Sequence, residues 1–504
     1  MTREPFLTAG PSKPMPIGSR SPSTAFPNHE STVIGAYLEK AASNHPNQSG
    51  FAIIPDGRQA FTSRIAMTEL AEKTLDLQYF VWDPDSTGRI LAQYLVHAAD
   101  RGVRVRILVD DIYLNGRDAI LAGMDAHPNI QVRIFNPFTH RSRRLLNFIA
   151  DFGRLNHRMH NKLFVMDNSV AIVGGRNIGD CYFEVHQQTH FRDMDVFAVG
   201  PIVRKTSAVF DQFWNGDWAV PVKAVVKRTS TEADLQAVLK TARDQIEAKP
   251  YPYPLNEDVA TLKLELETIY NRLIWATGHM IFDDPDEIKE HGRTISMSES
   301  FYRRIDRLES ELLIEVPYFV VRQRGLDAVR RLRERGVRIQ VLTNSLASNN
   351  VLAAHAGHAK HRKDLLAAGV ELYELRSDPP VKKTPLPLMG SASARSTLHC
   401  KAFVFDRKDV FVGSLNLDPR SGDINTEAGL YIESPELADQ MVAYMNEGVL
   451  APSSYQVLLS ADGNLYWVSE EEGKAVRYDR DPGSTFWQRT KARLIGMLPI
   501  MDQL

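Results

Sequence analysis

Five residues of this chain recur at one fixed separation: His160, Lys162, Asp167, Gly174 and Asn177 are matched by His399, Lys401, Asp406, Gly413 and Asn416, each 239 positions later. A lone His-x-Lys is a chance pattern on a solvated strand, but five residues repeated at one offset describe a unit present twice. The chain is therefore expected to fold as two like halves whose half-sites meet in one centre.

Each copy reads as a hairpin. In RMHNKLFVMDNSVAIVGGRN, apolar stretches Leu163 to Met166 and Ala171 to Val173 flank a polar turn at Asp167, Asn168 and Ser169; STLHCKAFVFDRKDVFVGSLN repeats this around Asp406 to Asp409. Residues two apart on an extended chain share a face, so His160 projects with Lys162 and His399 with Lys401. Cys400, between them, faces away as a small buried hydrophobe. It and Cys181 are the only cysteines, which suggests neither a disulfide framework nor a zinc site.

A weaker repetition precedes each hairpin. Strands near Leu75 to Trp82 and Val103 to Val109 flank a helix near Gly88 to Asp100; strands near Leu312 to Phe319 and Val337 to Leu342 flank one from Gly325 to Arg335. Both are βαβ units. Another helix and strand follow each: Ala119 to Met124 with Val132 to Phe135, then Val351 to Ala368 with Val370 to Leu375. The expected fold class is α/β: two similar lobes, each a mixed sheet flanked by helices, related by a pseudo-two-fold axis. Boundaries are expected at 1–62 for a leader and N-terminal extension, flexible over its first thirty Pro/Ser-rich residues, and 63–221 for the first lobe. A helical linker at 222–294, a second lobe at 295–446 and a C-terminal extension at 447–504 complete the division.

Lys and Arg total 60 against 62 Asp and Glu, a formal net charge of −2, so nothing global attracts nucleic acid or an anionic bilayer. No apolar run is long enough to span a membrane. Two segments are candidate interfacial helices: Phe138 to Met159, which combines Arg141, Arg143, Arg144, Arg154 and Arg158 with Leu145, Leu146, Phe148, Ile149, Phe152 and Leu155, and the stretch from Phe486 and Trp487 through Leu494, Ile495 and Leu498. His355, His358 and His361 recur every three residues beside Lys360, Arg362 and Lys363; lipid-headgroup contact is favoured there over a metal site. Trp214 and Trp218 read as core.

The doubled pattern of His-x-Lys, four spacers, Asp, six spacers and Gly-(Gly/Ser)-x-Asn resembles the phospholipase D superfamily. The stretches FRDMDVFAVGP, LTNSLASNNVLAAHAGHAKHRKDLLAAGVELYEL and GSLNLDPRSGDINTEAGLYIES are similar to its bacterial cardiolipin synthase C-like branch. The resemblance implies phosphatidyl transfer with no metal or other cofactor, to phosphatidylglycerol from phosphatidylglycerol or phosphatidylethanolamine, by an enzyme held peripherally at a bacterial inner membrane; hydrolysis of phospholipid to phosphatidic acid, or a nuclease of the same superfamily, is the alternative. No nucleic-acid partner is expected, and oligomeric state is left open.

It further implies His160 as nucleophile and His399 as general acid, though near-symmetry of the half-sites leaves their exchange open. Lys162 and Lys401 would supply charge, and Asn177 and Asn416 amide donors, to a phosphorus centre that gains negative charge. Asp195, 35 residues after His160, and Glu427, 28 after His399, are expected to orient the rings, as the family uses an acid there. Asp167 and Asp406 are expected to serve turn structure, and Gly174, Gly175, Gly413 and Ser414 to let the backbone approach the phosphate.

Overall fold

The computed structural model describes residues 13–15, 21–226, 231–248, 251–255, 257–379 and 394–498. Most of the Pro/Ser-rich leader therefore lies outside the described residues, as do residues 499–504.

The motif hairpins set the architecture. Leu163–Met166 pairs antiparallel with Val170–Gly174, and Ala402–Phe405 with Asp409–Gly413. Both faces of the first hairpin are buried: Leu163 and Val165 enter one apolar core, Phe164 and Met166 another. This explains the unbroken apolar runs, since a strand covered on both sides needs no polar alternation. At each turn two consecutive residues have positive φ, Asp167 and Asn168 in one and Asp406 and Arg407 in the other. A tight hairpin needs this conformation, and Asp and Asn tolerate it.

Each lobe extends its hairpin in the same order. In the first, Ser49–Ile54, Asp195–Val199, Val170–Gly174, Leu163–Met166, Thr74–Tyr79, Arg104–Asp110, Ile130–Phe135 and Ala219–Pro221 are successive neighbours. In the second, Ile274–Phe282, Ala428–Glu433, Asp409–Gly413, Ala402–Phe405, Glu311–Glu315, Arg338–Asn344, Glu371–Leu375 and Ser454–Leu459 follow suit. The βαβ units sit where expected, with helices Ser86–Asp100 and Gln323–Glu334 crossing between parallel strands.

Three segments expected outside the lobes join the sheets, Ser454–Leu459 of the C-terminal extension among them. Ser49–Ile54, placed in the N-terminal extension, pairs with Asp195–Val199 on one side and Ile274–Phe282 on the other, so the two sheets run into one another. Ile274–Phe282, placed in a mostly helical linker, is the edge strand of the second lobe; its Ile, Trp, Thr and Phe content suits a strand. Helices Glu232–Ala248 and Val259–Tyr270 do occupy that linker. The end of the leader is docked: Ser23 donates its N–H to Asn215 and accepts from buried Arg106, while Ala25 N–H donates to Asp211. In the tail, Ser454–Leu459 and Leu465–Glu471 pair antiparallel and a third strand, Lys474–Tyr478, follows.

A shared core lies between the lobes. Val165, Val173 and Val196 of the first contribute with Val404, Val412 and Leu430 of the second, flanked by helices Pro201–Asn215 and Pro435–Val449. Trp214, Trp218 and Cys400 are buried there.

The motif aspartates staple each hairpin to its sheet. Asp167 accepts backbone N–H bonds from Glu72, Lys73 and Thr74 at 2.9, 2.8 and 2.6 Å. Asp406 accepts from Glu309, Ser310 and Glu311 at 3.0, 2.8 and 3.0 Å. Hydrogen bonds to an ionised group contribute about 1.5–3 kcal/mol, and lost partners leave N–H groups unpaired. Asp167→Ala is expected to lower unfolding stability in urea by about 3 kcal/mol, and Asp406→Ala, at a more exposed turn, by less; no change for Asp167→Ala would contradict this staple.

Candidate active site

The catalytic-type residues sit just before the first strand of each hairpin, and each is held by the opposite lobe. His160 N–H donates to Thr426 O at 2.9 Å, and Thr426 N–H returns a bond to Arg158 O. In the other half Arg395–Leu398 pairs parallel with Thr189–Arg192, and His399 N–H donates to Arg192 O at 2.8 Å. The segment ahead of each His-x-Lys thus lies against the segment ahead of the other lobe's carboxylate.

This crossing decides the ring partners. His160 Nδ1 lies 2.9 Å from Glu427 Oε2 and 3.0 Å from Ser414 O, both from the second lobe. His399 Nδ1 lies 2.6 Å from Asp193 Oδ2 of the first lobe. A carbonyl only accepts, so Nδ1 of His160 carries the hydrogen and Nε2 keeps its lone pair for attack. Ser421 Oγ donates to the other oxygen of Glu427 at 2.6 Å.

Of the two expected ring partners, Glu427 lies against a histidine, His160 of the other lobe, and the expectation for Asp195 is corrected. Asp195 orients no histidine: it is fully buried between Arg64, at 2.9 Å, and Arg176, at 3.4 Å. Sheet register explains the miss. Gly174 lies opposite Asp195, whereas Gly413 lies opposite Gly429, so Asp195 corresponds to Gly429 and Glu427 to Asp193. The lobes carry different loop lengths after the hairpin, 19 residues from Gly174 to Asp193 (193 − 174) but 14 from Gly413 to Glu427 (427 − 413), so counting from the histidines misaligns them.

The remaining motif residues divide between scaffold and site. Lys162 and Lys401 are buried, each donating to the carbonyl of its own histidine, and Lys401 Nζ lies 3.1 and 3.3 Å from the ring nitrogens of His399. Asn177 accepts from Val81 N–H and donates one amide hydrogen to Tyr182 Oη, both at 3.0 Å, which fixes the amide and leaves its second hydrogen for another acceptor. Asn416 Oδ1 is buried without such partners. The glycines allow close contact with neighbouring strands, since a Cβ would meet Asp195 at Gly174, Asp193 at Gly175 and the Ala428 carbonyl at Gly413. Ser414 exchanges hydrogen bonds with Ala428. Aromatic walls found only in three dimensions line the rings: Phe80 lies edge-on to His160, while Tyr182 and Phe191 contact His399.

Electrostatics make the halves unequal. Burial, then Lys162 and Lys401, hold His160 well below its ordinary range, and burial and Lys401 lower His399 to about 3, so both rings are neutral in the empty centre. Burial pushes Glu427 up to about 7 despite Lys162. Burial also works against the Asp193 anion, but His399, Lys401 and Arg176 outweigh it and hold the carboxyl at about 2. His399 therefore faces a permanent anion and His160 a carboxyl that ionises near neutrality. Burial and Lys401 drive Lys162 well below the usual ammonium range, so an arriving phosphodiester anion would draw protons onto the site.

The candidate helices also resolve. In Arg144–Ala150 and Phe152–Leu155, Arg144 and Arg141 turn inward to Asp111, Arg154 pairs with Asp151 and Arg158 with Asp110. Leu145, Leu146 and Ile149 are 74%, 62% and 68% exposed, while Leu155 is buried. Helix Phe486–Gly496 likewise exposes Phe486, Trp487 and Leu494. The histidine-rich helix is different from expectation: His355, His358 and Arg362 are buried against Asp481 and Glu374, out of reach of a headgroup.

A family model described as "Cardiolipin synthase, PLD-like domain" matches residues 65–214 and 301–448. The chain is 38% identical over 477 residues to cardiolipin synthase C of Escherichia coli (strain K12), covering 91% of this chain and 97% of that one. It is 24% identical over 417 residues to a probable cardiolipin synthase of Bacillus subtilis (strain 168), covering 81% of this chain and 68% of the relative. The solved structure of phosphatidylserine synthase from Haemophilus influenzae Rd KW20 shares the fold, with a TM-score of 0.56 at 13% identity, over 83% of this chain and 92% of that one.

The two neighbouring acids should separate by experiment. Asp195→Ala strands buried Arg64 and Arg176 and is expected to cost about 3–5 kcal/mol of unfolding stability. Asp193→Asn, close to isosteric, should cost less than half as much. Urea unfolding measures both, and the reverse order would refute the assignment of Asp195 to the scaffold.

Proposed function

The chain belongs to the phospholipase D-like family of cardiolipin synthases, and on that premise we propose that it is a cardiolipin synthase, transferring a phosphatidyl group to the headgroup hydroxyl of phosphatidylglycerol. Phosphatidylglycerol or phosphatidylethanolamine serves as donor. The observation that carries the mechanism is the crossed pair of dyads, His160 with Glu427 and His399 with Asp193.

In the first half-reaction Nε2 of His160 attacks phosphorus, the P–O bond to the departing headgroup alcohol breaks, and His399 delivers a proton to that oxygen. In the second, the hydroxyl of phosphatidylglycerol yields its proton to His399 and forms a new P–O bond as the P–N bond to His160 breaks. One ester bond is exchanged for another, so no nucleotide is consumed. Lys162 and Lys401 offset the charge that grows on the non-bridging oxygens. The unequal carboxylates support this division of roles: an anionic Asp193 stabilises the imidazolium of an acid, while the Nδ1–H of His160 leaves Nε2 free to attack.

The protein meets its lipids from the membrane surface. The exposed Leu145, Leu146 and Ile149 lie a short way before His160 in the chain, on helices whose arginines point inward, an arrangement suited to insertion at the headgroup boundary. No helix among the described residues is long and apolar enough to cross a membrane.

Incubation with mixed micelles of phosphatidylglycerol and phosphatidylethanolamine, followed by mass spectrometry, should yield cardiolipin; phosphatidic acid alone would show a hydrolase and refute the transferase. His160→Ala and His399→Ala should each reduce turnover roughly 10⁴-fold or more, and a phosphatidyl-enzyme should accumulate in the His399 variant alone. Label trapped in the His160 variant would reverse the roles.

Ionisation of Glu427 should appear in the pH profile. Its anion supports His160, so kcat/KM rises as pH passes through about 7. Its carboxyl binds a proton more tightly folded than unfolded, so its stabilising contribution is full at acid pH and fades through the same window. Glu427→Gln should lower the rate and abolish that limb; an unchanged limb would assign it to another group.

A further inference from the structure

The tail helix Phe486–Gly496 lies on helix Leu352–Ala367, and the two enclose a cavity of about 350 Å³ that no residue of the catalytic centre lines. They approach closely at one end, where a Cβ on Gly496 would stand 3.8 Å from the side chain of Ala356. Lys360 from one helix and Arg489 and Arg493 from the other face the space. Lys360 and Arg493 are exposed, and the side chain of neither has an ion pair or hydrogen bond among the described residues. Arg489 donates to the Ser484 carbonyl at 2.6 Å. The acid that also lines the cavity, Asp481, is engaged from beneath by buried Arg362 at 2.9 Å. Three cations thus border a space whose own carboxylate is already taken up, which favours an anionic ligand.

The same helix shows what kind of anion it meets. Arg489, Arg493 and Met497, four residues apart, follow the edge that borders the cavity. The adjoining face carries Phe486, Trp487, Leu494 and Leu498, all exposed, with the Phe486 and Trp487 rings edge-on at 5.5 Å. A bare apolar face with cations along its margin suits a helix lying where headgroups meet acyl chains, and exposed aromatic rings favour that depth. The anions at that depth are lipid phosphates. The patch of Leu145, Leu146 and Ile149 differs, because Arg144 and Arg158 beside it are engaged by Asp111 and Asp110.

We propose that this cavity is a second lipid site, apart from the catalytic centre, which takes the phosphate of an anionic phospholipid between Lys360, Arg489 and Arg493 while the tail helix rests its apolar face among the acyl chains. No bond is made or broken there. The proposal rests on the reading of this protein as an enzyme that works at a phospholipid surface. Under it the two exposed patches divide the contact: residues 145–149 supply apolar insertion, and the tail helix supplies recognition of charge.

The test is sedimentation of the full-length His160→Ala protein with vesicles of phosphatidylcholine, with and without phosphatidylglycerol. Stronger association with the anionic vesicles is expected, and Lys360→Gln/Arg493→Gln in that background should weaken it about thirtyfold, the effect of removing two cations from an anionic surface. Lys474→Gln/Arg477→Gln, which removes the same charge from an exposed strand of the tail, should weaken it by about threefold at most. An equal loss in both variants would show diffuse attraction and overturn the site. So would tight binding of inorganic phosphate without vesicles, which marks a soluble-anion site, or no preference for phosphatidylglycerol. Turnover enters none of these measurements, so the cavity and the transferase reading fail separately.

Discussion

Two histidine–carboxylate hydrogen bonds cross between the lobes, and the remainder of the site depends on them: Glu427 to His160 and Asp193 to His399. Each lobe supplies a histidine it cannot orient and a carboxylate it does not use. The backbone enforces the exchange, because Thr426 receives the His160 amide and Arg192 the His399 amide immediately ahead of the two acids. An isolated lobe would present a buried imidazole without its partner, at the cost attached to any unmatched polar group in an apolar interior. The shared core of Val165, Val196, Val404 and Leu430 holds the two lobes in this register.

Within that symmetric frame the chemistry is asymmetric. Burial first, and then the neighbouring lysines, disfavour the charged form of both histidines. The carboxylates then divide the labour. Asp193, reinforced by Lys401 and Arg176, stays ionised and favours an imidazolium at His399, while Glu427 lies on the edge of ionisation. Aromatic contacts reinforce the difference, with one ring beside His160 and two beside His399. The exposed Leu145, Leu146 and Ile149 suit the proposed approach of lipid to this centre, since the flanking Arg144 and Arg158 are drawn inward by Asp111 and Asp110.

Much of the fold was legible because the hydrophobic pattern is strong wherever a strand is covered on both faces. The βαβ units, the hairpins and the turn aspartates all appear where the residue pattern puts them. Short pieces at the seam escaped. Ser49–Ile54 and Ile274–Phe282 looked like an extension and a linker because each finds its main partner more than a hundred residues away, in Asp195–Val199 and Ala428–Glu433, and they meet one another only where the two sheets join. The inward turn of Arg141, Arg144 and Arg158 was unreadable for a similar reason, since their acids Asp111 and Asp110 lie thirty or more residues earlier, at the end of a strand.

By itself the sequence determined that this protein is a doubled unit with two His-x-Lys centres and the chemistry of phosphodiester exchange, because side-chain identity at a fixed offset survives any detail of packing. Tertiary structure alone decided which acid serves which histidine. Asp195 and Asp193 are two residues apart on one strand, and counting along the chain favours the wrong one. Only the pairing of Gly174 with Asp195 and of Gly413 with Gly429 reveals that the equivalent of Glu427 is Asp193, and only the docking of the lobes shows that each reaches across to the other. Loop length varies freely along a chain, whereas hydrogen-bond register between strands does not.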